Sequence, residues 1–230
     1  MRKILTIISM VSLMSFSANA VDMSSMSVTA GIAMNNAVYG ASAKETNRND
    51  SNTITQVKKE SGVFVEDHQS VFGELNMGEF VSVGFEHTPD SISTPQNKRV
   101  TNTNATTTVS VDFNDLNIAY LKFNLPGGVY LKAGYAETDL DIKESMASGT
   151  TYRNVSTEGT LIGIGYSKPL GDRGLALRVE GSYLQLDDVS TDNGVSATGA
   201  TVANGGRNQI DASNLEGLNG KVALTYTLGN

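Results

Sequence analysis

The sequence predicts an all-β fold, an eight-stranded antiparallel up-and-down transmembrane β-barrel. Three observations carry that prediction. Apolar and polar residues alternate with a period of two in eight separate places. The connections between those places alternate strictly between short and long. Beyond the N-terminal leader, no stretch approaches the roughly 18 consecutive apolar residues of a membrane-spanning helix.

The leader comes first. Arg2 and Lys3 precede an apolar run over residues 4–16, and Ser17-Ala18-Asn19-Ala20 places small residues for a cut after Ala20. Residues 1–20 therefore read as a secretory signal peptide, because as a helix the run would cover only about 20 Å of a bilayer core of ~30 Å. Residues 21–230 form the mature barrel domain. Loss of the leader removes two cations, so the formal net charge of −7 becomes two units more negative.

The eight strands are expected over 27–39, 70–77, 80–87, 109–125, 129–135, 160–167, 175–186 and 218–228. In the first, Val28, Ala30, Ile32, Met34 and Val38 oppose Ser27, Thr29, Gly31, Ala33 and Asn35. The fourth is the least regular. Val109, Val111, Phe113, Ala119, Leu121 and Phe123 share one parity, yet Leu116, Ile118 and Tyr120 fall on the polar one. Asn76-Met77-Gly78-Glu79, Leu125-Pro126-Gly127-Gly128 and residues 168–174 read as tight turns, with Gly and Pro supplying the special backbone angles. The other connections, 40–66, 88–107, 138–156 and 187–213, read as loops of roughly 20 to 27 residues, far beyond the usual median of ~4–6.

With both termini and the short turns at one end and the long loops at the other, residues 21–230 resemble the small eight-stranded outer-membrane β-barrel proteins. This is the OmpA/OmpX-like class of porin-family barrel domains. The resemblance implies a Gram-negative outer membrane, periplasmic turns, extracellular loops, an apolar outer face and a polar lumen. Outer-membrane lipids and lipopolysaccharide would then surround a monomer, with extracellular surface partners reached through the loops. Such barrels commonly end in a lipid-facing aromatic residue; here Leu224, Tyr226 and Leu228 lead to Asn230.

Two sets of residues follow from strand parity. Glu74, Glu86, Asp112, Lys122, Lys132, Arg178, Glu180 and Lys221 read as a lumen charge network, four acids against four bases. In so narrow a barrel opposite charges must pair. Glu180 and Lys221 are expected as neighbours, and Lys122, Lys132, Arg178 and Glu74 as a second cluster. Tyr39, Phe85, Phe123, Tyr135, Tyr166, Tyr183 and Tyr226 read as lipid-facing aromatic girdles.

The remaining chemistry is sparse. With Cys 0 there is no disulfide framework, thiol nucleophile, Cys-ligated zinc or lipidated N-terminal Cys. Nothing calls for a cofactor or a metal, and Gly163-Ile164-Gly165 lacks the third Gly and following helix of a dinucleotide site. A pI near 4.8 argues against nucleic acid. His68 and His87, with Ser70 and Glu86 nearby, read as rim residues, and the protein as no enzyme. The glycosylation-type triplets at Asn49, Asn104 and Asn154 read as chance in a bacterial envelope. Asp139, Asp141, Asp187, Asp188, Asp192 and Asp211 make the third and fourth loops acidic, while Lys44, Arg48, Lys58 and Lys59 lie in the first. Acidic loops could meet lipopolysaccharide through divalent cations or contact a foreign surface. The function expected is that of an outer-membrane barrel with an envelope-structural, surface-interaction or porin-like role. The alternative is a soluble exported barrel or sandwich acting as an adhesin or small-ligand carrier.

Overall fold

The computed structural model describes residues 26–49, 51–100, 106–145, 151–194 and 207–229. The signal peptide expected over residues 1–20, the triplet at Asn104 and the terminal Asn230 lie outside them. The strands are β1 (Met26–Arg48), β2 (Ile54–Met77), β3 (Val81–Thr88), β4 (Ile92–Ser93), β5 (Asn97–Val100), β6 (Thr106–Asn124), β7 (Val129–Ser145), β8 (Val155–Pro169), β9 (Leu175–Leu186), β10 (Val189–Asp192) and β11 (Asn208–Leu228). Eight of them pair antiparallel in the order β1-β2-β3-β6-β7-β8-β9-β11, and β11 pairs back onto β1 to close a ring. The short strands β4 and β5 pair with β6, and β10 with β11.

The cross-strand register gives the geometry of the ring. Val28 opposes Leu75, which opposes Val83, and the row continues through Leu121, Ala133, Ile162, Tyr183 and Leu218. Leu218 opposes Val38, so one circuit returns to β1 ten residues above its start. Eight strands with that stagger tilt by about 40° and enclose a backbone cylinder of radius about 8 Å.

The residues of this row face outward, with the apolar parity of each strand. Met34 (72% exposed), Ile32, Leu218 and Ile162 are examples of large apolar side chains left uncovered. On β9 the outward positions are Leu175, Leu177, Val179, Gly181 and Tyr183; on β8 they are Tyr166, Ile164, Ile162 and Thr160. Between Lys168, which faces outward opposite Leu177 at the lower border, and the upper border, no outward position of this belt is charged among the described residues. Its upper border is polar, with His87, Asn117, Glu137, Glu158, Gln185 and Glu216 following on their strands. The belt is about nine or ten residues deep, which at this tilt is about 23–25 Å, close to the ~25 Å apolar band of a membrane barrel.

The irregular strand has a local cause. The β6–β7 register shifts between Asn114 and Asn117, where Asp115 takes φ 51°. One extra residue in a bulge reverses the parity of everything beyond it. Leu116, Ile118 and Tyr120 point inward, and across the bulge Phe113 packs beside them against Ile92, whereas Ala119, Leu121 and Phe123 belong to the outer row. The single face expected for Val109 through Phe123 is therefore two faces joined at a bulge.

Among the described residues the first expected long loop, 40–66, is largely strand, and each of the other three is strand in part. β1 and β2 remain paired up to Arg48 and Ile54, leaving a turn over 49–53, and β6–β7 and β1–β11 likewise pair beyond the belt. Over residues 54–63 neither face of β2 is buried, so nothing there selects apolar residues at alternate positions. The alternation vanishes although the strand continues.

Four inward aromatic rings lie over glycines directly opposite them in the register: Phe72 over Gly31, Tyr120 over Gly84, Tyr130 over Gly165 and Tyr39 over Gly217. The Tyr39–Gly217 proximity follows the closure of β1 on β11. A Cβ on Gly84 would sit 2.3 Å from the Tyr120 ring, whereas one on the outward Gly73 would meet nothing within 4 Å. Gly84→Ala should therefore destabilise the barrel by about 1–3 kcal/mol through overpacking, while Gly73→Ala should leave the urea midpoint within about 0.5 kcal/mol. Equal midpoints for the two variants would contradict this account of the interior.

Candidate functional site

The interior is layered along the barrel axis. At the short-turn end a floor of hydroxyls and amides is hydrogen-bonded across strands. The Asn76 Nδ2 donates to Ser27 Oγ (3.0 Å) and Thr29 Oγ1 (2.9 Å), Ser82 Oγ donates to Asn76 Oδ1 (2.7 Å), and Thr29 meets Thr227 (2.8 Å). Such groups cannot be left bare in a narrow, dry interior without a penalty of about 1–3 kcal/mol each.

Above the floor lie the charges. Glu74 is held by Lys122 (2.5 Å) and Arg178 (2.7 Å) and accepts the Tyr120 hydroxyl (3.1 Å). Glu86 is held by Lys132 (2.8 Å) and Lys221 (2.5 Å) and accepts Ser70 Oγ (2.7 Å). Glu180 lies 3.3 Å from Lys132 and 3.4 Å from Lys221, and accepts the Tyr130 hydroxyl (3.0 Å). The side chains of these seven charged residues are 2–10% exposed. Lys132 also stands 4.1 Å from the centre of the Tyr120 ring.

The structure thus brings together seven of the eight residues expected in the network and separates one. Asp112 lies on β6 beyond the bulge, opposite Ser93 and Asp141, where it accepts Ser93 Oγ (2.8 Å) and lies 3.9 Å from the largely exposed Lys143. The parity reversal at Asp115 puts it outside the lumen. Lys132 leaves the cluster expected around Glu74 and bridges Glu86 and Glu180 instead. Sequence reasoning passed over Phe72, Tyr120 and Tyr130, the aromatic parts of this layer; the signal for them was an inward-parity ring with a glycine on the neighbouring strand.

The third layer is apolar. Ile92, Leu116, Ile118, Leu161, Leu184, Leu186 and Leu215 form a buried cluster at the long-strand end, with Tyr39, Phe64 and Phe113 packed on it. Tyr39 is therefore not part of an outer girdle. It occupies the parity of Asn35 and Ala37, and its ring centre lies 5.4 Å from that of Phe64. The other six aromatic residues face outward. Phe123, Tyr166 and Tyr226 lie near the short-turn ends of their strands, Phe85 lies at mid-depth, and Tyr135 and Tyr183 lie beneath the upper border, hydrogen-bonded to Glu158 and Glu216.

Two interior cavities have a volume of about 20 Å³, each with room for about one water molecule. One lies in the apolar layer beside Tyr39 and Phe113; the other lies at its border with the charges, lined by His68, Asn219, Ser182 and Lys221. His68 is buried there, 6.4 Å from the Tyr39 ring, whereas His87 faces outward and its Nδ1 pairs with Asn117 Oδ1 (2.9 Å). Ser70 hydrogen-bonds a carboxylate that two lysines already hold, so Glu86 is poorly placed to take a proton from it.

No protein-family model matches the chain, and no curated protein is significantly similar to it in sequence. Solved structures do match. OprG, an outer membrane protein of Pseudomonas aeruginosa, superposes with a TM-score of 0.55 over 87% of this chain and 97% of its own, at 9% identity. The fold is that of the small outer-membrane β-barrels. OmpT, an outer membrane protease of Escherichia coli (TM-score 0.45, 9% identity, 88% and 97% covered), and the outer membrane protein AlkL (0.40, 12%, 87% and 90%) are more distant matches.

Two predictions follow from the charges. Glu86→Gln strands Lys132 and Lys221 on Glu180 alone and should cost about 3–5 kcal/mol, read as a lower urea midpoint of the refolded barrel; Asp112→Asn, outside the lumen, should change it by less than about 0.5 kcal/mol. The second concerns Asp192, beyond the belt. The Gly194 N–H, then Arg207 (2.9 Å), hold its carboxyl below the usual range. A folded pKa below the unfolded one means stabilisation that is present above pH ~4 and lost as pH falls through the folded value. The protection factor of the Gly194 amide, its exchange rate taken relative to the intrinsic rate at the same pH, should therefore fall on acidification in the wild type and stay constant in Asp192→Asn.

Proposed function

We propose that the protein is an integral protein of the bacterial outer membrane, exported through the leader at residues 1–20. Its short turns would lie in the periplasm and its long strand pairs at the cell surface. It serves as a monomeric envelope-structural and surface-interaction barrel with a closed lumen and no chemistry of its own. The uncharged outward belt carries this reading. A soluble protein rarely leaves an apolar patch beyond a few hundred Å² in water, and this one encircles the whole ring. A bilayer core also requires every strand edge within it to be paired, which the β1–β11 closure achieves. A small-ligand carrier would need a roomy apolar interior; here the interior holds ion pairs and the two small cavities. Surface partners and lipopolysaccharide would be met by the strand pairs beyond the belt.

In a test of this reading, the protein should stay with outer membranes through high-salt and carbonate washing and migrate anomalously on gels until heated. Recovery in the soluble periplasm would refute it. Ile32→Arg, at mid-depth of the belt, should cost about 2–4 kcal/mol when refolding into bilayers; a water-facing surface would accept the same change at little cost. Planar bilayers containing the protein should show no sustained single-channel steps, and regular steps would replace the closed lumen with a pore.

A further inference from the structure

The interior charges do not balance. Among the described residues the buried charges are Glu74, Glu86 and Glu180 against Lys122, Lys132, Arg178 and Lys221; Glu66, of the same parity on β2, is only half-buried and lies eight residues above Glu74, beside Tyr39. The upper set, Glu86 and Glu180 with Lys132 and Lys221, is neutral. The surplus cation therefore belongs to the lower trio, in which Glu74 alone serves both Lys122 and Arg178. Burying a cation without a counter-charge is strongly unfavourable. The nearby rings do not supply one: the Tyr130 centre is 5.6 Å from Lys122 and 5.8 Å from Arg178, near the outer limit of cation–π attraction. The Tyr120 and Tyr130 hydroxyls donate to carboxylates and add no negative charge.

We infer that Lys122 and Arg178, beside Glu74, form a binding site for a small monovalent inorganic anion. Arg178 is 8% exposed, and its buried Nε has no hydrogen-bond partner in the protein, leaving a donor unused beside the surplus charge. The layer beneath is the polar floor, whose Thr29, Ser82 and Thr225 hydroxyls hydrogen-bond Thr227, Asn76 and Ala176 and keep that side of the surplus charge polar. Lys122 and Arg178 lie two and three residues from the short-turn ends of β6 and β9, so the ion enters from that mouth. A surplus of one charge favours a monovalent ion; sulfate would reverse the imbalance. The site holds whether the belt meets lipid or another apolar surface.

The test uses the full mature chain refolded in detergent, with bromide and chloride as probes. Crystals soaked in bromide should show one anomalous peak within hydrogen-bonding reach of Lys122 Nζ and the Arg178 guanidinium. At matched ionic strength, the urea midpoint should be higher in chloride than in gluconate, an anion too large for the site. Lys122→Met, which leaves three carboxylates against three cations, should lose both the peak and the chloride preference. A wild-type map without that peak, a wild-type midpoint indifferent to the salt, or a Lys122→Met barrel that retains the preference would each overturn the site. So would a neutral Lys122 amine by nitrogen NMR. If Lys122→Met does not fold, the wild-type map and salt comparison decide.

Discussion

A ring of eight strands staggered by ten residues has an interior only wide enough for its own side chains, and the rest of this barrel is arranged around filling that width. No inward ring can be added without removing something opposite it. That is why Phe72, Tyr120, Tyr130 and Tyr39 each lie over a glycine. The same narrowness leaves the charges no solvent to turn to. Each carboxylate is bracketed by cations from other strands: Glu74 on β2 by β6 and β9, Glu86 on β3 by β7 and β11. These contacts link strands that do not hydrogen-bond to one another, so the lumen ties the ring across its diameter while the backbone ties it around its circumference.

The order of the layers matters as much as their content. The apolar cluster of Leu116, Ile118, Leu161 and Leu184 sits between the charges and the long-strand end. Bulk water and salt are thereby held off from one side, and ion pairs in such surroundings are screened far less than those at a surface. The hydroxyl floor at the other end is polar and can be hydrated. The interior is electrically asymmetric along its axis, with its neutral set of charges under the apolar cap and its surplus cation nearest the polar floor.

The fold was legible in the sequence wherever the two faces of a strand meet different surroundings, because only then does selection write a period of two. Strands β3, β8 and β9 meet that condition along most of their length, and their alternation located them. Above the belt the condition fails, and residues 40–48 and 54–66 read as loop although they are paired strand. The bulge at Asp115 defeated parity in another way. One residue out of register is invisible to an alternation argument that runs through it, so Asp112 was placed inside and Phe113 outside when both are reversed. Tyr39 was misplaced because its residue type was allowed to outweigh its parity, which it shares with Asn35. The charge network was legible in membership because inward charges are rare enough to stand out, while its pairing depended on the stagger, which no single strand reveals.

Above the belt the ring does not continue as a ring. β2 pairs with β3 only from Val71 to Met77, whereas it follows β1 up to Ile54. The wall therefore divides into one sheet built on β1, flanked by β2 and β11, and another built on β6 and β7. Each is held by backbone hydrogen bonds continuous with the belt, and neither has the ring's cross-diameter ion pairs. The exposed side of upper β2 carries Lys58 and Lys59, the kind of charge that discourages unwanted strand addition at an open edge. Sequence change at the exposed positions of these sheets, such as residues 54–63, is energetically separable from the barrel below. A closed, over-determined interior and an upper wall with exposed faces are thus consequences of one stagger: it packs the lumen where all eight strands pair, and its hold ends where the first pair, β2 and β3, comes apart.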